Sequence, residues 1–314
     1  MNIRPSPIAG SWYPGRPETL RRDLNQYLAQ AQARAPQGKV WGVVAPHAGY
    51  RYSGPVAAYA FKCLQGLQPD LVAVISPLHY GHPAPLLTTA HEAYETPLGL
   101  VEVDAGAVAE LNRALQKRLG AGLTPVPRDQ EHSLEIELPF LQHILGQFRL
   151  LPVMIRDQRL PVAQARGQAL AEILSDRPAL LVASSDLSHF YPQEQACVLD
   201  KELLRRLETF DPQGVMEAEA EGVGFACGRG AAAAVLWAAK QLGADRVNVL
   251  RHATSGDVSG DFSSVVGYGA AVIWQTNVSQ AQRTRPEKRT SATGVAEALE
   301  NHKHRLTGSL HDLK

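Results

Sequence analysis

Val40-Trp41-Gly42-Val43-Val44-Ala45, followed at once by Pro46-His47, is the stretch that decides how this chain reads. A short, valine-rich apolar run stopped by proline has the length and β-branched content of a strand buried on both faces. Leu71-Val72-Ala73-Val74-Ile75 repeats the form and is stopped by Ser76-Pro77. Between them, residues 53–67 show helical spacing, with Pro55 near the start. Strand, helix, strand in that order is a βαβ unit and predicts parallel neighbours.

The same grammar continues outward. Upstream, Pro17 and Glu18 suit the first turn of a helix that runs over 19–32. Downstream, 105–119, 162–174, 195–207 and the alanine-rich 230–241 read as helices, and 148–155, 179–183 and 247–251 as strands. Residues 265–274 read as the last strand, pairing with 247–251. Beyond about Gln275 the chain turns polar and poor in large apolar side chains. The division expected is one domain over 1–276 and a disordered tail over 277–314, with a marginal helix at 295–302 and solvated His302, His304 and His311.

Equal numbers of basic and acidic residues, 31 each, give no net charge to draw the chain to nucleic acid or an anionic membrane. Prolines and glycines interrupt the first fifteen residues where a signal peptide needs an apolar run, and no apolar stretch is long enough to span a bilayer. Three cysteines in 314 residues are no disulfide framework. The compartment expected is the cytoplasm.

Chemistry gathers at the strand ends. The strand 40–45 runs into Pro46-His47, and 71–75 runs into Ser76-Pro77-Leu78-His79. The strand 179–183 runs into Ser184-Ser185-Asp186-Leu187-Ser188-His189. Ligand crevices in open α/β sheets form beyond the carboxyl ends of the strands. A single histidine there is an ordinary hydrogen-bonded loop residue; three of them together with Cys227 read as a metal site.

Cys227 precedes the helix at 230–241, where the helix dipole and nearby Arg229 should favour the thiolate. Its flanking glycines would let the backbone approach an ion. His132, in Glu131-His132-Ser133-Leu134-Glu135, either caps a helix or joins the pocket, and Glu131 and Glu135 read as a solvated helix start. Asp186 is either a turn residue or a pocket group. Cys63 and Cys197 read as core, His82, His91, His143 and His252 as structural, and Trp12 and Tyr13 as pins for the N-terminal segment.

On the motifs APHAGYRYSGPVAAYAF (Ala45 to Phe61), EHSLEIELPFLQ (Glu131 to Gln142), SSDLSHF (Ser184 to Phe190), ACGRG (Ala226 to Gly230) and ATSGDVSGD (Ala253 to Asp261), the chain resembles the Memo-like family, called AmmeMemoRadiSam system protein B in prokaryotes. The resemblance runs from Ile8 to about Trp274. It implies a three-layer α/β/α sandwich around one mostly parallel sheet, similar to class III extradiol dioxygenases. It also implies metal ligands at His47, His79 and Cys227, an acid/base histidine at His189, and Asp186 and His132 in the same pocket. Those dioxygenases carry a carboxylate where this chain has Cys227, and a softer thiolate shifts preference toward copper or zinc.

Three functions compete. The first is a redox enzyme holding iron(II) or copper, with positions open for O₂ and an unknown small-molecule or peptide substrate. The second is a zinc hydrolase on the same ligands, with Glu135 or Asp186 as base. The third is a scaffold or phosphopeptide-binding adaptor, with Arg51 and Arg229 as anion contacts. The implied partners are a radical S-adenosylmethionine enzyme and an AMMECR-type protein.

Overall fold

The computed structural model describes residues 1–277. The expected tail, its marginal helix and its histidines lie outside them.

The chain opens with β1 (Ile3–Arg4), α1 (Pro17–Gln30), β2 (Gly38–Ala45), α2 (Tyr50–Lys62) and β3 (Leu71–Pro77). Three short strands follow, β4 (Leu86–Thr89), β5 (Ala93–Thr96) and β6 (Gly99–Glu102), then α3 (Ala105–Leu119) and β7 (Thr124–Val126). The middle holds α4 (His132–Glu135), α5 (Leu138–Leu145), β8 (Arg149–Ile155), α6 (Leu160–Leu174), β9 (Ala179–Ser184) and β10 (His189–Tyr191). It ends with α7 (Gln193–Glu208), α8 (Pro212–Glu217), α9 (Arg229–Gln241), β11 (Arg246–Thr254), α10 (Gly256–Ser259) and β12 (Val265–Thr276). Met1–Thr276 form one compact unit.

The main sheet runs β10-β12-β2-β9-β3-β8-β4-β7, with β11 also on β12. Its centre, β2-β9-β3-β8, is parallel, while β12 joins β2 antiparallel and β4 joins β8 antiparallel. The sheet as a whole is therefore mixed around a parallel centre. The expected pairing of the last strand with the one before it is present, in antiparallel register from Arg246 opposite Trp274 to Thr254 opposite Gly267. The βαβ unit is parallel as expected, but its strands are not neighbours, because β9 lies between β2 and β3. A second sheet, β1-β5-β6, was not expected from the sequence.

Period-two alternation explains the layers. Along β3, Leu71, Ala73 and Ile75 join the core under α3, α6 and α9, while Val72 and Val74 join the core under α1, α2 and α5. Leu181 and Ala183 of β9 point to the first core, and Leu180 and Val182 to the second. Strands apolar on both faces need helices on both faces. That makes the domain an α/β/α sandwich.

Candidate metal centre at the carboxyl edge of the sheet

The order β2-β9-β3 sets three strand ends side by side. Each carries a polar residue two positions past its end: His47 after β2, Asp186 after β9 and His79 after β3. Cys227 comes from the loop before α9. Gly228 permits this approach, since a Cβ there would lie 2.3 Å from the Ser184 carbonyl oxygen. The glycine thus makes room for the end of β9. Two bonds pin the loop: Gly228 N–H donates to Ser185 Oγ at 3.0 Å, and Gln158 Nε2 donates to the Cys227 carbonyl at 2.7 Å.

One ligand atom from each of His47, His79 and Cys227 lies within 4.8 Å of the others. Cys227 Sγ is 3.1 Å from His47 Nε2, and the His47 and His79 rings stand edge to face with centroids 5.2 Å apart. Metal–sulfur and metal–nitrogen bonds of about 2.3 and 2.0 Å at a tetrahedral angle separate S and N by about 3.5 Å. The trio needs only small adjustments to close on one ion, and two imidazoles with a thiol are a suitable donor set.

Each imidazole is backed at Nδ1. His47 Nδ1 is 2.9 Å from Ser184 Oγ, and His79 Nδ1 is 2.8 Å from Glu131 Oε1. Burial first, then His132, His79 and His189, hold His47 well below the usual histidine range. Neutral imidazole is the form that binds metal.

The remaining expected pocket residues surround this trio. Asp186 is buried; its Oδ1 accepts from the His47 backbone N–H at 2.7 Å and its Oδ2 lies 4.0 Å from His47 Nε2. Burial raises its carboxyl to about 7. His132 begins α4, lies 4.5 Å from His79 between ring centroids, and is held down to about 4 by burial. His189 Nδ1 donates to the Leu187 carbonyl at 2.8 Å, and its ring stands edge to face with Phe190 and Phe225.

Several expectations are corrected. Glu131 and Glu135 are not solvated: they are 1% and 0% exposed. Glu131 holds His79, while Glu135 is bound by Arg4, Ser6 and Tyr13 and so is no free base. Burial of Cys227, with Asp186 nearby, pushes its thiol well up, against the expected thiolate. Arg229 is paired with Glu219, so its charge is engaged away from the sulfur, and Arg51 is exposed beside the Tyr52 ring. Tyr13 is buried and pins the N-terminal segment as expected, but Trp12 also packs against His132, with centroids 4.3 Å apart and the rings tilted by 40°. Cys63 is core, whereas Cys197 is half-buried.

Glu131, Ser184 and Glu137 went unread as site residues. The one available signal was EHSLEIE itself, three acids beside an apolar run with no lysine or arginine among them. Their partners lie far away in sequence; His79 is 52 positions from Glu131, and Ser184 is 47 from Glu137.

A family profile described as Memo-like protein matches residues 4–272. The chain is 38% identical over 274 residues to a MEMO1 family protein of Nitrosopumilus maritimus, spanning 85% of this chain and 98% of that protein. A MEMO1 family protein of Methanopyrus kandleri is 37% identical over 280 residues, spanning 85% and 97%. A crystal structure of an uncharacterized protein from Escherichia coli K12 is 13% identical, at a TM-score of 0.45 over 74% of this chain and 99% of that one.

Proposed function

This chain belongs to the Memo-like protein family, and from that premise we propose that it binds one transition-metal ion through His47, His79 and Cys227 and performs redox chemistry there on a small molecule or peptide. The observation that carries the reading is the convergence of the three ligand atoms within 4.8 Å at one sheet edge. Iron(II) or copper is the proposed ion, and it would supply Lewis-acid and electron-transfer chemistry.

The chain's own groups hold and move protons. His189 spends its Nδ1–H on the Leu187 carbonyl, which leaves Nε2 as the basic atom. Asp186, with a carboxyl near neutrality, can take or release a proton at working pH. The His132 ring stacks on that of His79, and Trp12 lies against His132. A radical S-adenosylmethionine enzyme and an AMMECR-type protein are the proposed partners, to be sought by pull-down with wild type and His47→Ala. The compartment we propose is the cytoplasm; among the described residues no helix is long and apolar enough to cross a membrane.

A zinc hydrolase is the second reading, supported by a donor set that also suits catalytic zinc and by Asp186 as base. One experiment separates the two. Protein purified without oxygen or histidine tags is assayed for iron, copper and zinc, alongside Cys227→Ser. Iron or copper near one per chain, lost in the variant, supports the redox reading; stoichiometric zinc supports the hydrolase. Only trace iron and copper in wild type, with no uptake of added iron(II), overturns the redox reading; failure to take up added zinc as well overturns both.

A further inference from the structure

Ser184 Oγ has three polar neighbours: His47 Nδ1 at 2.9 Å, the Ser133 carbonyl oxygen at 2.7 Å and Glu137 Oε1 at 2.6 Å. A serine hydroxyl has one proton to give and two lone pairs to offer. The Ser133 carbonyl can only accept, so it takes that proton. The other two neighbours must then donate to Oγ, His47 through Nδ1–H and Glu137 through a carboxyl proton. An ionised Glu137 would set two acceptors competing for one hydrogen. It would also place a charge, 1% exposed, whose sole hydrogen-bond partner among the described residues is Ser184.

Glu131 presents the opposite count. Its Oε2 accepts from the His79 backbone N–H at 2.6 Å, and its Oε1 accepts from the Ser133 N–H at 3.0 Å and from His79 Nδ1 at 2.8 Å. Donors face both oxygens, which is the environment of an anion. The residue is itself fixed in place: Arg4 donates to its carbonyl at 2.6 Å, and its own N–H donates to Asp129 Oδ1 at 2.9 Å.

We propose that the segment 131–137 sets the tautomer of both candidate ligands with two buried glutamates in opposite states. Glu131, ionised, receives the Nδ1–H of His79; Glu137, a neutral acid, donates to Ser184, which receives the Nδ1–H of His47. Both Nε2 atoms are thereby left bare, that of His47 at 3.1 Å from Cys227 Sγ. Glu131 and Glu137 are positioning residues, acting through the imidazoles. The benefit to an ion rests on the metal reading above; the tautomers and the acid's proton do not.

The test is a pair of like substitutions with unlike outcomes. Glu137→Gln replaces one neutral donor by another, so its amide continues to donate to Ser184. Glu131→Gln must turn an NH₂ toward an N–H. Titration of metal-free protein with cobalt(II) should leave Glu137→Gln within about threefold of wild type, while Glu131→Gln weakens by about 10–100-fold. Equal weakening of both overturns the proposal.

Two readouts need no metal. At about pH 9, where the Asp186 carboxyl is ionised, the infrared carbonyl band of a protonated carboxyl should be present in metal-free wild type and absent in Glu137→Gln. Nitrogen-15 resonances should report both imidazoles as Nδ1–H tautomers in wild type, with His79 becoming mixed in Glu131→Gln. A missing acid band, or Nε2–H tautomers in wild type, overturns the proposal whatever cobalt does. Absence of Cys227-dependent cobalt binding in wild type, with those two readouts as expected, overturns the metal reading alone.

Discussion

The sulfur of Cys227 stands 3.1 Å from Nε2 of His47, and His47 Nδ1 is already engaged by Ser184. The contact is therefore a thiol donating to a bare ring nitrogen, and the proton between them occupies the line an ion would use. Burial and the nearby Asp186 hold that thiol protonated. An ion that takes both atoms must expel the proton. Zinc or cobalt(II) added in weakly buffered solution should release about one proton per ion bound, and affinity should rise about tenfold per pH unit across the neutral range. Affinity that does not change with pH there would mean that the sulfur is not a ligand.

Gly228 offers a test of how Cys227 is delivered. A Cβ at 228 would lie 2.3 Å from the Ser184 carbonyl oxygen and 2.7 Å from Ser185 Cβ. A backbone oxygen at the end of a buried strand has little freedom to yield. Gly228→Ala should cost about 1–3 kcal/mol by urea denaturation and weaken cobalt(II) binding, because the cysteine moves with its neighbour. Gly81→Ala is the control, since a Cβ at 81 would meet nothing within 4 Å and the backbone φ there is not positive. Equal stability of the two variants would remove steric delivery as the reason for glycine at 228.

What the sequence made legible was whatever repeats locally. Apolar runs stopped by Pro46 and Pro77 marked β2 and β3, and the histidines just beyond them followed from strand direction alone. What it hid was whatever depends on distant partners. That β9 enters between β2 and β3 is set by packing of long crossovers and leaves no local trace. Glu131 and Glu135 have the composition of a solvated helix start; their burial depends on His79 and on Arg4, which lie 52 and 131 positions away. The reading of Cys227 failed on protonation for a related reason: dipole and Arg229 were visible in sequence, burial and the Arg229–Glu219 pair were not.

Arg4 is fully buried between Asp129 and Glu135, and it also donates to the Glu131 carbonyl. Arg4→Ala would leave two carboxylates enclosed without their cation, at a cost of about 3–5 kcal/mol. Because the same guanidinium steadies Glu131, metal affinity should fall as well. Denaturation of the variant in urea measures the first effect and cobalt(II) titration the second. A loss below about 1 kcal/mol would assign Arg4 no more than the weight of a surface pair.

Asp186 makes the pH dependence of the metal-free protein predictable. Its carboxyl is raised from 3.8 to about 7, chiefly by burial. A carboxyl whose folded value is raised is destabilising when ionised: the cost is absent below its unfolded value and grows as pH rises toward the folded one. Stability contributed at this position should therefore fall between roughly pH 4 and pH 7, by about 3–5 kcal/mol in all. Asp186→Asn keeps an oxygen for the His47 N–H, bonded at 2.7 Å, and removes the charge. Metal-free Asp186→Asn should match wild type near pH 4 and exceed its melting temperature increasingly toward pH 8. With zinc bound through His47 the advantage should shrink, because Asp186 Oδ2 lies 4.0 Å from His47 Nε2 and an adjacent cation favours the carboxylate. Parallel melting curves for variant and wild type across this range, with and without zinc, would show that Asp186 carries no such charge in the folded protein.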